Sequence, residues 1–136
     1  MENIVIDSTN LENALESLKK SVQKLNENSD KTIQDIIEDS CVKRFEYTLE
    51  TSWKLMKRIL KKIYGKNEQE LTINNIFRFM KGYGFITNWE NWKNYYAGRN
   101  DTSHEYNLEK SRELLKIIPD FITDTEFFIN KLKKDI

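Results

Sequence analysis

From Lys31 to Tyr64 the chain runs without a proline or a glycine. Along that stretch Ile33, Ile36, Ile37, Cys41, Phe45, Thr48, Trp53, Met56, Ile59, Leu60 and Ile63 return at three- and four-residue intervals. That period belongs to a helix and not to a strand. At 1.5 Å per residue the segment makes a rod of roughly 50 Å, long enough to be the spine of a small domain. Gly65 follows it and offers a natural C-terminal residue. The apolar positions predict the buried side of this helix.

Other segments repeat the pattern. Ser8, Thr9 or Asn10 can cap a first helix whose apolar stripe is Leu11, Ala14, Leu15, Leu18, Val22 and Leu25. The polar run from Asn26 to Asp30 reads as a turn. Thr72 can cap a short third helix carrying Ile73, Ile76, Phe77, Phe79 and Met80, and Gly82-Tyr83-Gly84 ends it. Asn88 can cap a fourth with Trp89, Trp92, Tyr95 and Tyr96, which Gly98 is expected to loosen just before Arg99. Asn107 can cap a last helix carrying Leu108, Leu114, Leu115, Ile118, Phe121, Ile122, Phe127 and Leu132. Pro119 lies inside that pattern and is expected to kink or split it. With only 4 glycines and 1 proline, the turn chemistry of sandwiches and barrels is missing. The expected fold is all-α, an up-and-down antiparallel bundle of four to five main helices with a short helical insertion. No linker, repeat or low-complexity tract divides residues 1–136, so one domain is expected.

Composition narrows the function. Lys+Arg and Asp+Glu are both 22, a formal net charge of +0, which lacks the broad basic footprint of a dedicated nucleic-acid binder and leaves room only for a local basic site. Cys41 has no cysteine partner, and one Cys with one His cannot make a structural zinc site. No metal and no cofactor is expected. There is no glycine cluster for a phosphate loop or dinucleotide fold, and no Gly-Ser with paired aspartates for a nucleotidyltransferase. No segment reads as a signal peptide or a membrane span, and a lone cysteine fits a reducing compartment, so the cytoplasm is expected.

One polar stretch carries chemistry: Arg99-Asn100-Asp101-Thr102-Ser103-His104-Glu105-Tyr106. It holds the only histidine and lies where the chain passes between two helical patterns, so its side chains can converge without a shared helix face. A guanidinium grips phosphate oxygens through paired hydrogen bonds. A histidine with a pKa of roughly 6.5 moves protons near neutrality. Asn100, Thr102 and Ser103 can orient a sugar or a phosphate. The set could bind a nucleotide or assist attack of an RNA 2′-hydroxyl on its own phosphodiester. The same residues would also serve a plain bundle, with Arg99 paired to Asp101 or Glu105 and His104 capping a helix. Trp53, Trp89 and Trp92 are read as core or interface rather than base-stacking platforms. Glu46 and Glu50 share a helix face with lysines nearby, and are read as surface ion pairs. Cys41 is read as a buried small hydrophobe.

The stretch Arg99 to Tyr106 resembles the Arg-x4-His-x-Tyr motif of HEPN-domain proteins, especially the HepT toxins and the nucleotidyltransferase substrate-binding proteins. A second stretch, Arg44-Phe45-Glu46-Tyr47-Thr48-Leu49-Glu50-Thr51-Ser52-Trp53-Lys54, resembles a helix of the same branch. The two occur in the family's order and spacing, and the resemblance covers nearly the whole chain. It implies a homodimeric HEPN bundle that partners a separately encoded minimal nucleotidyltransferase and acts on RNA or a nucleotide, not on DNA or a membrane. In its toxin–antitoxin form it implies an RNase with Arg99 and His104 as active-site residues. Asn100 matches the polar residue after the arginine, Ser103 supports, and Tyr106 is the tyrosine that the partner adenylylates. In its other form the chain is a non-catalytic substrate-binding subunit.

Overall fold

The computed structural model describes residues 5–102 and 108–135, without the side chains of residues 100–102 and 108. Every regular element among them is helical: α1 (Thr9–Glu27), α2 (Lys31–Lys62), a 3-10 turn (Glu68–Glu70), α3 (Ile73–Gly82), α4 (Trp89–Thr102) and α5 (Leu108–Asp135). The caps are local chemistry. The Asp30 carboxylate accepts from the Thr32 and Ile33 amides, Thr72 Oγ1 from Asn75, and Asn88 Oδ1 from Glu90 and Asn91. Ser8 holds the N-cap position of α1 but makes no capping bond; its hydroxyl donates to Glu12 instead. After α2 the chain turns at Gly65, whose φ of 66° suits a residue without a Cβ.

Cross-helix contacts fix the directions. The start of α1 lies beside Tyr47–Arg58 of α2 and its end beside Ile36 and Ile37, so the two are antiparallel. Tyr95 of α4 reaches Asp124 of α5, while Gly98 lies against Leu114, again antiparallel. Phe45 of α2 meets Phe121 of α5 edge to face at 4.8 Å, and Glu38 faces Arg112, so α2 and α5 run the same way. Four long helices form an up-and-down bundle, with α3 inserted between α2 and α4. The core is centred on Trp92, 1% exposed, whose ring meets Phe77, Tyr95, Phe121 and Phe128 at 5.7–6.4 Å. Burying that aromatic cluster removes the largest side chains from water and ties α3, α4 and α5 together.

Three expectations need correction. α5 is not split at Pro119: one helix spans Leu108–Asp135. The proline is exposed, so the carbonyl that loses its intrahelical donor lies on the solvent side, where water can satisfy it. Gly98 does not loosen α4, which continues to Thr102; its missing Cβ is where Leu114 and Ile117 of α5 pack. Finally, Ile33, Ile36 and Ile63, placed by periodicity on the buried side of α2, are 42%, 67% and 37% exposed. The neighbouring elements cover the middle of the long helix more fully than its ends, so the same stripe is core at Phe45 and surface at Ile36. Among the described residues, no helix is long and apolar enough to cross a membrane.

Candidate functional site

Arg99 is helical, in the last turn of α4, and not in a loop as the polarity of its surroundings suggests. α4 places it against the middle of α2. Three residues earlier, Tyr96 packs edge-on against Trp53 of α2, with ring centroids 6.4 Å apart. One turn on from that contact, the Arg99 guanidinium lies 3.6 Å from the Glu50 carboxylate, with side chains 25% and 37% exposed. Glu50 also faces Lys54 one turn along α2, at 3.2 Å. The carboxylate therefore sits between two cations from two helices.

Beside Glu50 a groove of about 380 Å³ opens between α2 and the start of α1. Tyr47, Glu50, Thr51, Lys54 and Arg58 form its α2 wall, and Asp7 and Asn10 lie across from them. Positions 47, 51, 54 and 58 follow helical spacing, which explains why they share one face. Asp7 is held below the usual carboxylate range, first by its hydrogen bonds with Thr9 and in small part by the Arg58 charge. Tyr47 is 59% exposed. The sequence reading did not single out Tyr47, Thr51 or Arg58 as site residues. The available signal was the shared spacing of polar side chains along α2, but which helix end of α1 flanks them is a tertiary fact.

Of the site residues expected from sequence, Arg99 is tied to this groove through Glu50, which lines it and pairs with the guanidinium. Ser103, His104 and Tyr106, and the side chain of Asn100, lie outside the described residues. The ion pair expected of Glu50 with a neighbouring lysine is present; its second partner, Arg99, was not anticipated. Trp92 is core, while Trp53 and Trp89 are half-buried, Trp89 between the cations of Arg78 and Lys93 at 4.5 and 5.8 Å. Cys41 is buried, and desolvation pushes its thiol up to about 11, so it is a poor nucleophile. Among the described residues, no group of His, Cys, Asp and Glu is placed to hold a metal ion.

The comparisons with known proteins match this architecture. A model of the family described as nucleotidyltransferase substrate binding protein like matches residues 7–134. The chain belongs to that family. A curated relative, the probable ribonuclease HepT of Haemophilus influenzae, is 30% identical over 104 residues, covering 75% of this chain and 71% of the relative. A solved Haemophilus influenzae structure, described as revealing the fold of a substrate binding domain of a nucleotidyltransferase, superposes with a TM-score of 0.83. Its identity is 26%, and the match covers 93% of this chain and 99% of that one. A crystal structure of a Thermus thermophilus protein shares the fold, with TM-score 0.74, 24% identity, and coverage of 90% and 98%. The HepT-like resemblance carried by the two motifs is thus borne out, and so is the all-helical bundle.

Proposed function

We propose that this chain is a single HEPN-like domain that acts as the ribonuclease toxin of a HEPN/minimal-nucleotidyltransferase pair, in the cytoplasm. The observation that carries the reading is Arg99. Its guanidinium pairs at 3.6 Å with Glu50, a carboxylate that lines an open groove and occupies the place that a phosphodiester oxygen would take. Homology to a probable ribonuclease HepT supplies the reaction class.

In this mechanism a 2′-hydroxyl attacks the adjacent phosphorus. The P–O5′ bond breaks, leaving a 2′,3′-cyclic phosphate and a 5′-hydroxyl. One His104 takes the proton from the 2′-oxygen, and the His104 of a second protomer gives a proton to the leaving O5′. Arg99 stabilises the charge that builds on the phosphoryl oxygens. Asn100 and Ser103 orient the sugar and phosphate. Two copies of the motif must meet for both proton transfers, so the active species is a homodimer. The partner nucleotidyltransferase would move AMP from ATP onto the Tyr106 oxygen, releasing pyrophosphate. The added bulk and negative charge beside Arg99 would shut the site.

The test is an RNase assay on purified protein, parent against Arg99→Ala and His104→Ala, with and without the partner and ATP. Cleavage lost in both variants, and suppressed by the partner with adenylate on Tyr106, is the expected result. Cleavage by His104→Ala at the parent rate would overturn the mechanism. A second reading has its own support, since the family and one solved neighbour are described by substrate binding to a nucleotidyltransferase. A stable complex with the partner and no cleavage by any version would select that substrate-binding subunit.

A further inference from the structure

The zero net charge conceals a segregation. Between Thr51 and Lys66 the chain carries Lys54, Lys57, Arg58, Lys61, Lys62 and Lys66 and no acidic residue. The structure divides these cations among different tasks. Lys57 and Lys61 are both turned to Glu68 of the 3-10 turn. The Lys66 ammonium lies over the Phe79 ring at 4.5 Å and near Tyr83 at 6.0 Å. Lys54, Arg58 and Lys62, spaced i, i+4 and i+8, form a separate exposed stripe on α2. Cations in the last turn are favourable in any helix, which accounts for Lys62, but Lys54 and Arg58 lie further in.

That stripe begins at the candidate site. Lys54, Arg58 and Glu50 line the groove, and Glu50 is also the residue that pairs with Arg99. At the head of the same face stands Tyr47, 59% exposed, so its ring is open to a stacking partner. From Tyr47 to Lys62 the face spans roughly 22 Å at 1.5 Å per residue, room for several nucleotides of an extended strand. A basic track with an aromatic platform at one end is the chemistry that holds single-stranded nucleic acid without reading its sequence.

We infer that this face of α2 is the track for the substrate strand: a base flanking the cleaved bond stacks on Tyr47, and successive phosphates lie against Lys54, Arg58 and Lys62. The assignment rests on the ribonuclease reading above. It places the strand so that its scissile phosphate meets Arg99 after displacing Glu50, and its flank runs along α2 toward Gly65.

The experiment measures binding apart from cleavage. His104→Ala protein, so that the RNA stays intact, is titrated with a short labelled single-stranded RNA across a range of salt. R58Q/K62Q in that background is expected to weaken binding at least tenfold near 0.1 M salt, and to flatten the log–log salt slope by about 1.4, at about 0.7 per phosphate contact on a single strand. Y47A is expected to weaken binding about tenfold and Y47F to restore it, as stacking requires. K116Q/K134Q, which removes the same charge from exposed positions of α5, is the control and should leave the affinity unchanged. Unchanged affinity and slope in R58Q/K62Q would overturn the track, as would equal losses in the control. So would variants that bind RNA normally but lose self-association or the nucleotidyltransferase, since the face would then be a protein interface. If the parent cleaves no RNA while the stripe variants still lose binding, the catalytic reading falls and the track stands.

Discussion

Glu50 of α2 is shared between Arg99 of α4, at 3.6 Å, and Lys54 one turn along its own helix, at 3.2 Å. A carboxylate so placed competes with any phosphate for the guanidinium. Glu50→Gln keeps the shape and removes the competing charge. The expected outcome is a KM for RNA cleavage about threefold lower at low salt, with the difference fading as salt screens it. The pair is partly exposed, so its loss should cost no more than about 1 kcal/mol, seen as a small shift in Tm. A collapse of kcat at unchanged KM would show instead that Glu50 takes part in the chemistry.

A buried polar contact fastens α4 to α5. The Tyr95 hydroxyl donates to Asp124 Oδ2 at 2.5 Å, and Tyr95 is 3% exposed. Tyr95→Phe leaves the ring in the core but takes the donor from the carboxylate. A loss of roughly 1–3 kcal/mol is expected in denaturant titration, because the bond is to a charged acceptor. The pH dependence has a definite sign. Burial, then the hydrogen bond to Asp124, raises the Tyr95 pKa above its ordinary 10.0. A raised folded-state value means that the stabilisation is complete below pH 10 and fades as the unfolded phenol ionises above it. Parent stability should therefore fall above pH 10 more steeply than that of Tyr95→Phe. Parallel curves would show that the hydroxyl is not held as described.

How much of this was legible in the sequence follows from which interactions are local. α2 and the Thr72 and Asn88 caps follow from residue type and period, and all are present; that Trp92 rather than Trp53 or Trp89 lies at the centre of the core is a tertiary fact. The split at Pro119 and the loosening at Gly98 did not occur because the effect of each residue depends on what faces it: solvent for the proline, a neighbouring helix for the glycine. Periodicity told the apolar side of α2 but not its covered length, which is why Ile36 was expected inside. Arg99 stood out in the sequence as a candidate site residue through its motif. Its partnership with Glu50, far away in sequence, required the packing of α4 on α2 that Trp53 and Tyr96 create.

Glu68 is an acid-sensitive clamp on the end of α2. Its hydrogen bonds with Lys57 and Lys61, the first the stronger, hold its carboxyl down to about 2 from the ordinary 4.5. A lowered folded-state value stabilises above the unfolded pKa, and the contribution disappears as pH falls from about 4.5 to about 2. The group is exposed, so the effect should be small and should fade at high salt. Glu68→Gln should flatten that part of the acid-unfolding profile. It also releases two cations near the proposed RNA track, so RNA affinity should rise a few-fold at low salt. Weaker RNA binding by Glu68→Gln would mean that the clamp is needed to shape that end of α2.

Gly98 precedes Arg99 and packs against Leu114 and Ile117 of α5. A Cβ there would meet the Leu114 Cδ1 at 3.0 Å and the Ile117 Cδ1 at 3.6 Å. Alanine sets two effects against each other. It gains about 0.8–1.0 kcal/mol of helix propensity, and it asks the Leu114 methyl, the end of a flexible side chain, to give by a few tenths of an ångström. Gly98→Ala should therefore change stability by less than about 1 kcal/mol. Valine adds two branches that the Leu114 contact cannot absorb, and overpacking of this kind costs about 1–3 kcal/mol. The helices must then part at the turn that carries Arg99, and the guanidinium moves away from Glu50. RNA cleavage by Gly98→Val, measured well below its Tm, should fall at least tenfold, beyond what the folded fraction explains. A Gly98→Val protein with parental activity would show that the close crossing of α4 and α5 does not position Arg99.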